Sequence, residues 1–221
     1  MIEARNIIKT FKNGPVETQV LRGIDLTVHD GEFIAIMGRS GAGKSTLMYQ
    51  MSLLDHPTSG AVYIDGKDAT ALLSHERSRL RLVTFGYVFQ DYALLPELTA
   101  LENVVVPLLM QGMSEKDAGV RAMRALERVG LHERPGNLPS QLSGGEQQRV
   151  SIARAIAHEP TVLFADEPTA NLDRESSDAI MEIFKELHGR GQTIIMVTHE
   201  DEYGTLADRI IRLDDGRIIS S

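Results

Sequence analysis

Short apolar runs separated by turn signals dominate the first part of the chain, and they predict β-strands. The runs cover residues 2–11, 20–28, 33–37 and 61–64, and an Asp-Gly turn pair follows the second and the last of them. The run at 33–37 is apolar throughout, which favours a buried strand. We expect this first part to be mainly antiparallel.

A helical spacing of apolar residues replaces the strand pattern from about Leu72 to Val129. One apolar stripe at this spacing is formed by Ala118, Ala122, Leu126 and Val129. The stretch is interrupted at Phe85–Gln90 by a short apolar run with a polar end, which predicts a strand. We interpret the region as a helical lobe inserted into a larger core.

The last part of the chain alternates predicted helices with apolar strands. Helices are predicted over 147–158 and 176–188, and strands over 161–166 and 193–197. The inward residues of the second helix are predicted to be Ile180, Ile183, Phe184 and Leu187. A hairpin turning at 214–216 closes the chain. Short apolar strands that alternate with helices imply a parallel sheet covered on both faces.

Size, charge and cysteine content restrict the class of protein. With 221 residues, of which 42% are hydrophobic, the chain is long enough for one large domain or for a domain with a small lobe. Its 23 Lys and Arg against 31 Asp and Glu give a net charge of −8, which argues against a broad nucleic-acid surface. The absence of cysteine excludes disulfides, thiolate metal sites and a cysteine nucleophile.

Neither a signal peptide nor a membrane span is expected. The amino terminus has no apolar signal core, so we do not expect secretion. The most apolar run, at 104–110, is far shorter than the roughly 20 residues that a helix needs to cross a bilayer. We therefore expect any role at a membrane to depend on a partner protein.

A glycine-rich segment follows the predicted buried strand at 33–37. Its residues are Gly38, Arg39, Ser40, Gly41, Ala42, Gly43, Lys44, Ser45 and Thr46. It fits the phosphate-loop pattern G-x-x-x-x-G-K-[ST] between a strand and a helix. Lys44 would supply positive charge to the β- and γ-phosphates, and Ser45 would ligate Mg²⁺. The alternative is a glycine-rich turn that matches the pattern by chance.

The residues after this loop predict a helix, because apolar side chains recur at helical spacing. They are Leu47, Met48, Met51 and Leu54. The loop would therefore lie at a helix amino terminus, where backbone N–H groups lack partners within the helix.

Two adjacent carboxylates, Asp166 and Glu167, end the predicted strand at 161–166. Asp166 is expected to hold the Mg²⁺ shell, while Glu167 would reach the water that attacks the γ-phosphate. The alternative is a strand exit with solvated acids.

A second phosphate-reading sequence, Leu142-Ser143-Gly144-Gly145-Glu146, lies upstream of that strand. It resembles the signature sequence of the ATP-binding subunits of ATP-binding cassette (ABC) transporters. The other motifs of that family follow in order along the chain: Phe11 at the position of its adenine-stacking aromatic, Gln90 as its Q-loop glutamine, residues 170–173 as its D-loop and His199 as its switch histidine. The resemblance therefore spans nearly the whole chain.

The signature residues also have the chemistry of an anion site. Ser143, Gly144 and Gly145 precede a predicted helix, so their N–H groups and the helix dipole would attract an anion. Ser143 can also form an S-x-x-E capping box with Glu146, which is compatible with that role.

The remaining motif residues have structural alternatives. Gln90 can be a solvated strand end, and His199 can be a structural histidine. Phe11 replaces a tyrosine that is common at its position, and ring stacking survives the loss of the hydroxyl. The alternative for Phe11 is an ordinary core aromatic.

The resemblance implies a fold and a set of site residues. The fold is α/β: a P-loop NTPase of the ABC type, with a mixed-sheet core, an antiparallel β subdomain and an inserted α-helical subdomain. Residues 1–221 would form a single domain, with the core at about 1–90 and 160–221 and the helical subdomain at about 91–159. The cofactors would be ATP and Mg²⁺. The catalytic residues would be Glu167, His199 and Gln90, and the metal ligands Ser45, Gln90 and Asp166.

The resemblance also implies partners and a location. Two copies would pair head to tail around two Mg-ATP, with each phosphate loop facing the partner's Ser143–Gly145 segment. An integral membrane permease subunit is expected as a further partner, and no nucleic acid. The chain would be cytoplasmic and peripheral on the inner face of the cell membrane. Residues 54–60 and 94–104 resemble the lipoprotein-release, macrolide-export and cell-division subgroup.

Two other classes of function stay open at this point. One is a nucleotide-gated scaffold that regulates a membrane or cell-wall partner without transport. The other is an ABC protein acting on nucleic acid or ribosomes, although such proteins carry tandem cassettes, zinc-binding cysteines or a coiled-coil insertion, none of which this sequence shows.

Overall fold

A computed structural model describes residues 1–220 of the chain. In chain order the strands and helices are β1 (Ile2–Asn13), β2 (Val16–Val28), β3 (Phe33–Gly38), α1 (Lys44–Met51), β4 (Ser59–Ile64), β5 (Lys67–Asp68), α2 (Ser74–Thr84), β6 (Phe85–Val88), α3 (Ala100–Met110), α4 (Glu115–Arg128), α5 (Gly144–Ile156), β7 (Val162–Asp166), α6 (Arg174–Gly189), β8 (Thr193–Val197), α7 (Asp201–Gly204), β9 (Arg209–Asp214) and β10 (Arg217–Ser220). A short 3-10 helix covers Pro139–Gln141. The chain divides into two compact units: unit 1 is Met1–Arg81 together with the chain from Gly191 onward, and unit 2 is Leu82–Arg190.

Unit 1 contains an antiparallel sheet in the strand order β2-β1-β4-β5. Ile2 pairs with Val28 on one side and with Ile64 on the other, and all three side chains are buried. The register shifts after Ala4, where Asn6 takes a positive φ of 48° and its backbone N–H donates to Asp25. The antiparallel first part predicted from the sequence is confirmed.

Unit 1 also contains β3, which runs parallel to both β8 and β9. Every residue from Phe33 to Met37 is buried, as its continuous apolar run predicts. β9 and β10 pair antiparallel, so this sheet is mixed. Asp215 and Gly216 connect the two strands, and both have positive φ, which suits a tight two-residue hairpin. The predicted closing hairpin is therefore confirmed.

Unit 2 pairs β6 with β7 in parallel, with Phe85 opposite Val162. Helix α4 packs on α3 and α5, and the predicted stripe of Ala118, Ala122, Leu126 and Val129 is fully buried. On α6 the predicted inward residues Ile180, Phe184 and Leu187 are buried, whereas Ile183 is only half-buried and Met181 takes its place in the core.

Several predicted boundaries differ from the structure. The second strand begins at Val16 rather than Val20, and the helix predicted over 147–158 is α5, from Gly144 to Ile156. The inclusion of Leu54 in the helix after the phosphate loop is wrong. That helix ends at Met51, Leu53 turns to a φ of 59°, and Leu54 is 44% exposed. A left-handed residue stops the hydrogen-bond ladder, so the spacing of apolar residues continued past the helix by coincidence.

Within residues 1–220, no helix combines the length and apolarity that a bilayer crossing requires. The division into a core of about 1–90 with 160–221 and a helical subdomain of about 91–159 stays a prediction.

Candidate functional site

The phosphate loop of unit 1 curls around its own lysine. The side chain of Lys44 is 7% exposed, and its ammonium donates to the backbone carbonyls of Gly38 at 3.0 Å and Arg39 at 3.2 Å. The Ala42 N–H donates to the Arg39 carbonyl, which closes the turn. The backbone carbonyls of Gly38 and Arg39 therefore hold the positive charge of Lys44 inside the loop.

Gly43 shows why the loop needs glycine where it becomes α1. It has a φ of 98° and is the N-cap of that helix. A Cβ added there would lie 3.0 Å from Leu21 Cδ2 and 3.1 Å from the Val20 carbonyl oxygen, so β2 passes too close for a side chain.

The amino terminus of α1 suits an anion. No side chain caps it, and its first turn contains no acidic residue. Its N–H groups and the helix dipole thus favour negative charge. Arg39, Ser40 and Gly41 are exposed, Ala42 is buried, and Ser45 and Thr46 in the first turn are half-buried.

Phe11 lies on β1 opposite Thr18 of β2, and its side chain is 46% exposed. The alternative of a core aromatic is therefore wrong. The Lys9 ammonium lies 4.9 Å from the centre of the ring, a cation–π distance. Lys9 also forms a 2.7 Å ion pair with Asp55, so the lysine beside the ring is anchored.

His199 follows β8 in unit 1, and its side chain is exposed. The loop before it is fixed, because the Thr198 N–H donates to the Ile36 carbonyl of β3 and the Thr198 hydroxyl accepts from the Glu200 N–H. The end of a buried parallel strand therefore positions the histidine.

Asp166 and Glu167 occupy the carboxyl end of β7 in unit 2. Every residue of β7 is buried, and Asp166 itself is 6% exposed. Glu167 is half-buried and has a φ of 45°, an unusual value for a residue with a Cβ. Its carbonyl accepts from the Ala170 N–H. The alternative of two solvated acids is wrong for Asp166, whose carboxylate is withdrawn from water.

Gln90 lies in a turn two residues after β6, with its side chain exposed. Its backbone carbonyl accepts from the Asn171 side-chain amide at 3.1 Å, and that amide also donates to Asp91 at 3.2 Å. The structure thus brings the segment resembling the Q-loop and the segment resembling the D-loop into contact.

The signature residues begin α5. Ser143 is the N-cap, and Gly144 and Gly145 form the first turn. The Ser143 hydroxyl accepts from the Glu146 N–H at 3.2 Å, while the Glu146 carboxylate accepts from the Ser143 N–H at 2.8 Å. This confirms the capping box, and the Ser143 N–H lowers the pKa of Glu146. The N–H groups of Gly144 and Gly145 lie outside the box.

Residues beyond the predicted set also shape unit 2. Gln148 is fully buried, and its side-chain amide donates to the Pro168 carbonyl at 2.7 Å and to the Phe89 carbonyl at 3.4 Å. Arg154 binds further carbonyls of the Gln90 turn. Gln148 shares one helix face with Ile152 and Ala155, which are both buried. A polar residue on an apolar face is the signal that could have revealed it.

The predicted site residues divide between the two units. Unit 1 carries Phe11, the phosphate loop and His199, and unit 2 carries Gln90, the Ser143–Gly145 turn, Asp166 and Glu167. Among residues 1–220, no group of three or more acidic or histidine side chains is arranged to hold a metal alone.

Residues 21–170 match the protein family described as ABC transporter, which is more than half of the chain. The chain belongs to the ABC transporter family. A curated relative of this ABC cassette is the lipoprotein-releasing system ATP-binding protein LolD of Aquifex aeolicus, 46% identical over 219 residues that cover 99% of the chain and 96% of the relative. The macrolide export ATP-binding/permease protein MacB of Azoarcus sp. is 47% identical over 220 residues, and the cassette spans 34% of its length.

Solved structures agree with the fold of this ABC cassette. A dimeric structure of a post-hydrolysis state of the ATP-binding cassette MJ0796, bound to ADP and Pi, is 40% identical, with a TM-score of 0.93 over 100% of this chain and 97% of that one. The predicted fold class, with a mixed sheet and an antiparallel sheet, is confirmed.

Proposed function

We propose that this chain is the ATP-binding and ATP-hydrolysing subunit of an ABC transporter, and that ATP closes a homodimer which drives a separate membrane subunit. The observation that carries this proposal is the enclosed Lys44 beside the uncapped amino terminus of α1. A buried ammonium beside a helix amino terminus that no side chain caps is the chemistry that binds a triphosphate.

Nucleotide binding is assigned to the residues of unit 1. Backbone N–H groups within residues 38–46 and the Lys44 ammonium bind the β- and γ-phosphates. The exposed ring of Phe11 stacks on adenine. The Lys9 ammonium beside that ring holds it in place for stacking.

The residues present fit Mg²⁺. Ser45, Asp166 and Gln90 offer a hydroxyl, a carboxylate and an amide oxygen, which are the hard oxygen ligands that Mg²⁺ prefers. Mg²⁺ usually takes only one or two protein carboxylates and completes its shell with water and phosphate, so a set of ligands with a single carboxylate suits it. When bound, the ion neutralises charge that develops on the phosphate oxygens.

Four side chains are assigned roles in hydrolysis. Glu167 accepts a proton from the water that attacks the γ-phosphate in line, and His199 orients that water and the phosphate. Gln90 senses the occupied site through the metal or the water. Lys44 offsets the negative charge of the transition state.

Dimer closure is assigned to the Ser143–Gly145 turn of the partner copy, which would bind the γ-phosphate. The capping box uses the N–H groups of Ser143 and Glu146, and leaves those of Gly144 and Gly145 to receive an anion. Hydrolysis then places two separate anions in the interface, and the pair opens. The dimeric, ADP- and Pi-bound state of the solved relative supports this cycle.

A membrane permease is proposed as the second partner, with the chain peripheral on the inner face of the cell membrane. The names of the relatives favour export or lipoprotein extraction. Mechanical transmission to a membrane or cell-wall partner without transport is the alternative. ATPase activity of the co-purified membrane complex that rises with a lipoprotein or macrolide cargo would favour the transporter, and activity indifferent to cargo would favour the scaffold.

The test of the nucleotide site is Lys44→Met. The change keeps the length of the side chain and removes its charge, so we expect ATP hydrolysis to fall by at least about 100-fold. The matched control is Lys116→Met on α4, which should hydrolyse ATP at the wild-type rate. A Lys44→Met protein that is folded and fully active would overturn the proposal.

A further inference from the structure

The segment 89–93, which contains Gln90, has an unusual backbone. Tyr92 and Ala93 have φ values of 59° and 50°, in the left-handed region that residues with a Cβ rarely adopt. Two consecutive residues of this kind persist only where the surrounding structure holds them. The sequence of the segment gives no local reason for the conformation.

Arg154 supplies the restraint. Its guanidinium, in the last turn of α5, donates to the Tyr92 carbonyl at 2.8 Å and to the Ala93 carbonyl at 2.5 Å. Burial lowers the pKa of Arg154, yet a guanidinium keeps its charge throughout the physiological range. A charged, planar donor that grips two successive carbonyls fixes the direction of the chain at both residues.

Two more side chains bind the same segment. Gln148 of α5 donates to the Phe89 carbonyl, and Asn171 donates to the Gln90 carbonyl. Four carbonyls of the segment therefore accept hydrogen bonds from three side chains, and two of those side chains belong to α5.

The far end of the same helix also meets the segment. A Cβ added at Gly144, in the first turn of α5, would lie 3.0 Å from the Tyr92 hydroxyl oxygen. In the conformation that Arg154 imposes, the Tyr92 side chain therefore packs against the signature turn, Ser143–Gly145.

We propose that Arg154 is a positioning residue which locks segment 89–93 to α5, so that Gln90 and the signature turn keep one fixed relation. This inference rests on the ATPase function proposed above. Gln90 is assigned to turnover and is only one of three proposed Mg²⁺ ligands, whereas the phosphate loop and Phe11, which bind the nucleotide, belong to unit 1. Loss of the lock therefore lowers kcat and leaves the affinity for Mg-ATP largely unchanged.

The test is a double-mutant cycle between Arg154 and Ala93. Arg154→Met removes both hydrogen bonds and keeps a side chain of similar length, so kcat should fall by about tenfold while KM for Mg-ATP stays within about twofold. Ala93→Gly alone should change kcat by less than about twofold, because glycine adopts the left-handed region without penalty. The double variant Arg154→Met/Ala93→Gly should have a kcat at least about threefold higher than Arg154→Met alone.

Two controls separate positioning from general damage. Arg128→Met removes an exposed arginine from α4 and should leave kcat unchanged. Arg154→Lys can reach one carbonyl and should lie between the wild type and the methionine variant. If Arg154→Met does not fold, the lysine variant enters the cycle in its place.

A readout without hydrolysis keeps this inference distinct from the ATPase proposal. Hydrogen exchange of the Tyr92 and Ala93 amides in nucleotide-free protein should be at least about tenfold faster in Arg154→Met than in wild type, because those amides donate only within the segment, to Phe89 and Asp91. Unchanged exchange, or a loss of kcat that Ala93→Gly does not relieve, would overturn the inference. A wild-type chain that fails to hydrolyse ATP would instead remove the proposed function.

Discussion

At the scale of single residues, Phe11 and Lys9 form a preorganised surface on β1 for the stacking of a base. About half of the Phe11 ring is exposed to solvent, and the neighbouring Lys9 forms an ion pair with Asp55. Burial opposes the charged form of Asp55, but hydrogen bonds from Lys9 and Gln50 outweigh it and lower the pKa of the carboxyl group. The ion pair therefore persists at neutral pH and holds the lysine at the ring.

Phe11→Ala is expected to weaken ATP binding by about 5- to 100-fold, the range given by the loss of one aromatic stacking contact on a base. Phe11→Tyr should bind within about twofold of wild type, because the ring is kept. Equilibrium titration with a fluorescent ATP analogue measures both. Inorganic tripolyphosphate, which has no base, serves as the control ligand and should bind all three proteins equally. Equal affinity of the alanine variant for ATP would remove Phe11 from the site.

His158, after α5, is a residue whose charge affects stability. Its Nε2 atom lies 3.1 Å from the Phe85 carbonyl, and its Nδ1 atom is buried with no hydrogen-bond partner. A carbonyl can only accept, so Nε2 carries a proton, and the buried Nδ1 without a partner favours the neutral form of the ring. Burial lowers the pKa of His158; the Phe85 carbonyl opposes this effect, and the charge of Arg121 adds to it.

The lowered pKa of His158 makes the free energy of unfolding depend on pH. The unfolded chain takes up the proton more readily than the folded chain, so stability is complete above the unfolded value of about 6.5 and falls as pH drops below it. His158→Gln can still donate to Phe85 and should lose less stability than wild type between about pH 6.5 and 5. Urea unfolding at several pH values measures this, with the exposed His132→Gln as control. Identical pH profiles for wild type and His158→Gln would contradict the assignment.

At the scale of elements, two helices of unit 2 begin with the same device. Thr99 and Glu102 form a capping box at the start of α3, as Ser143 and Glu146 do at the start of α5. The proposed function gives only the second helix an anion to bind. Equivalent substitutions in the two capping boxes therefore distinguish the stabilising effect of the cap from a role in binding the anion.

Ser143→Ala and Thr99→Ala should each cost about 1 kcal/mol of unfolding free energy. Ser143→Asp should keep the cap, since aspartate caps well, but place a negative charge where the partner's γ-phosphate is proposed to lie. We expect it to weaken ATP-dependent dimerisation more than tenfold, while Thr99→Ala leaves dimerisation intact. Calorimetric melting and analytical ultracentrifugation measure the two effects. A Ser143→Asp protein that dimerises like wild type would exclude the turn from the interface.

The sequence predicts the elements well where packing and local pattern agree. The apolar run at 33–37 is a buried strand, and the stripe on α4 is buried as its spacing indicates. The prediction that Leu54 belongs to the helix is wrong because the left-handed Leu53 follows the end of the helix. The sequence has no glycine at that position to indicate a helix end. The left-handed backbone of Tyr92, Ala93 and Glu167 could not be predicted either. For Tyr92 and Ala93, it depends on hydrogen bonds from a residue about sixty positions away.

Motif residues are the part of the site that sequence does predict, because phosphate chemistry demands particular residues at fixed spacing. Lys44 follows the glycines of its loop, and the Ser143 box opens a helix. The donors that hold the motifs, Gln148 and Arg154, carry no such spacing constraint. Their partners are backbone carbonyls, which every residue offers, so only the fold reveals them.

At the scale of the whole molecule, the chain carries the parts of a nucleotide switch in two compact units. The family is established by the match over residues 21–170, and the proposed cycle needs a second copy of the chain to complete each ATP site. The ATP-bound dimer is therefore the state on which the whole cycle depends: binding of ATP must drive association, and hydrolysis must reverse it.

Glu167→Gln should trap that dimer, because the change removes the proposed base and keeps a side chain of the same shape. We expect turnover to fall by about 10²- to 10⁴-fold and a stable dimer to accumulate with Mg-ATP. Glu127→Gln, on the exposed face of α4, is the control and should turn over ATP normally. The measurement is light scattering during size-exclusion chromatography of Glu167→Gln at saturating Mg-ATP, with and without the membrane subunit. We expect twice the 24.4 kDa mass of one chain for the isolated cassette. A Glu167→Gln protein that remains monomeric under both conditions would contradict the ATP-driven dimer.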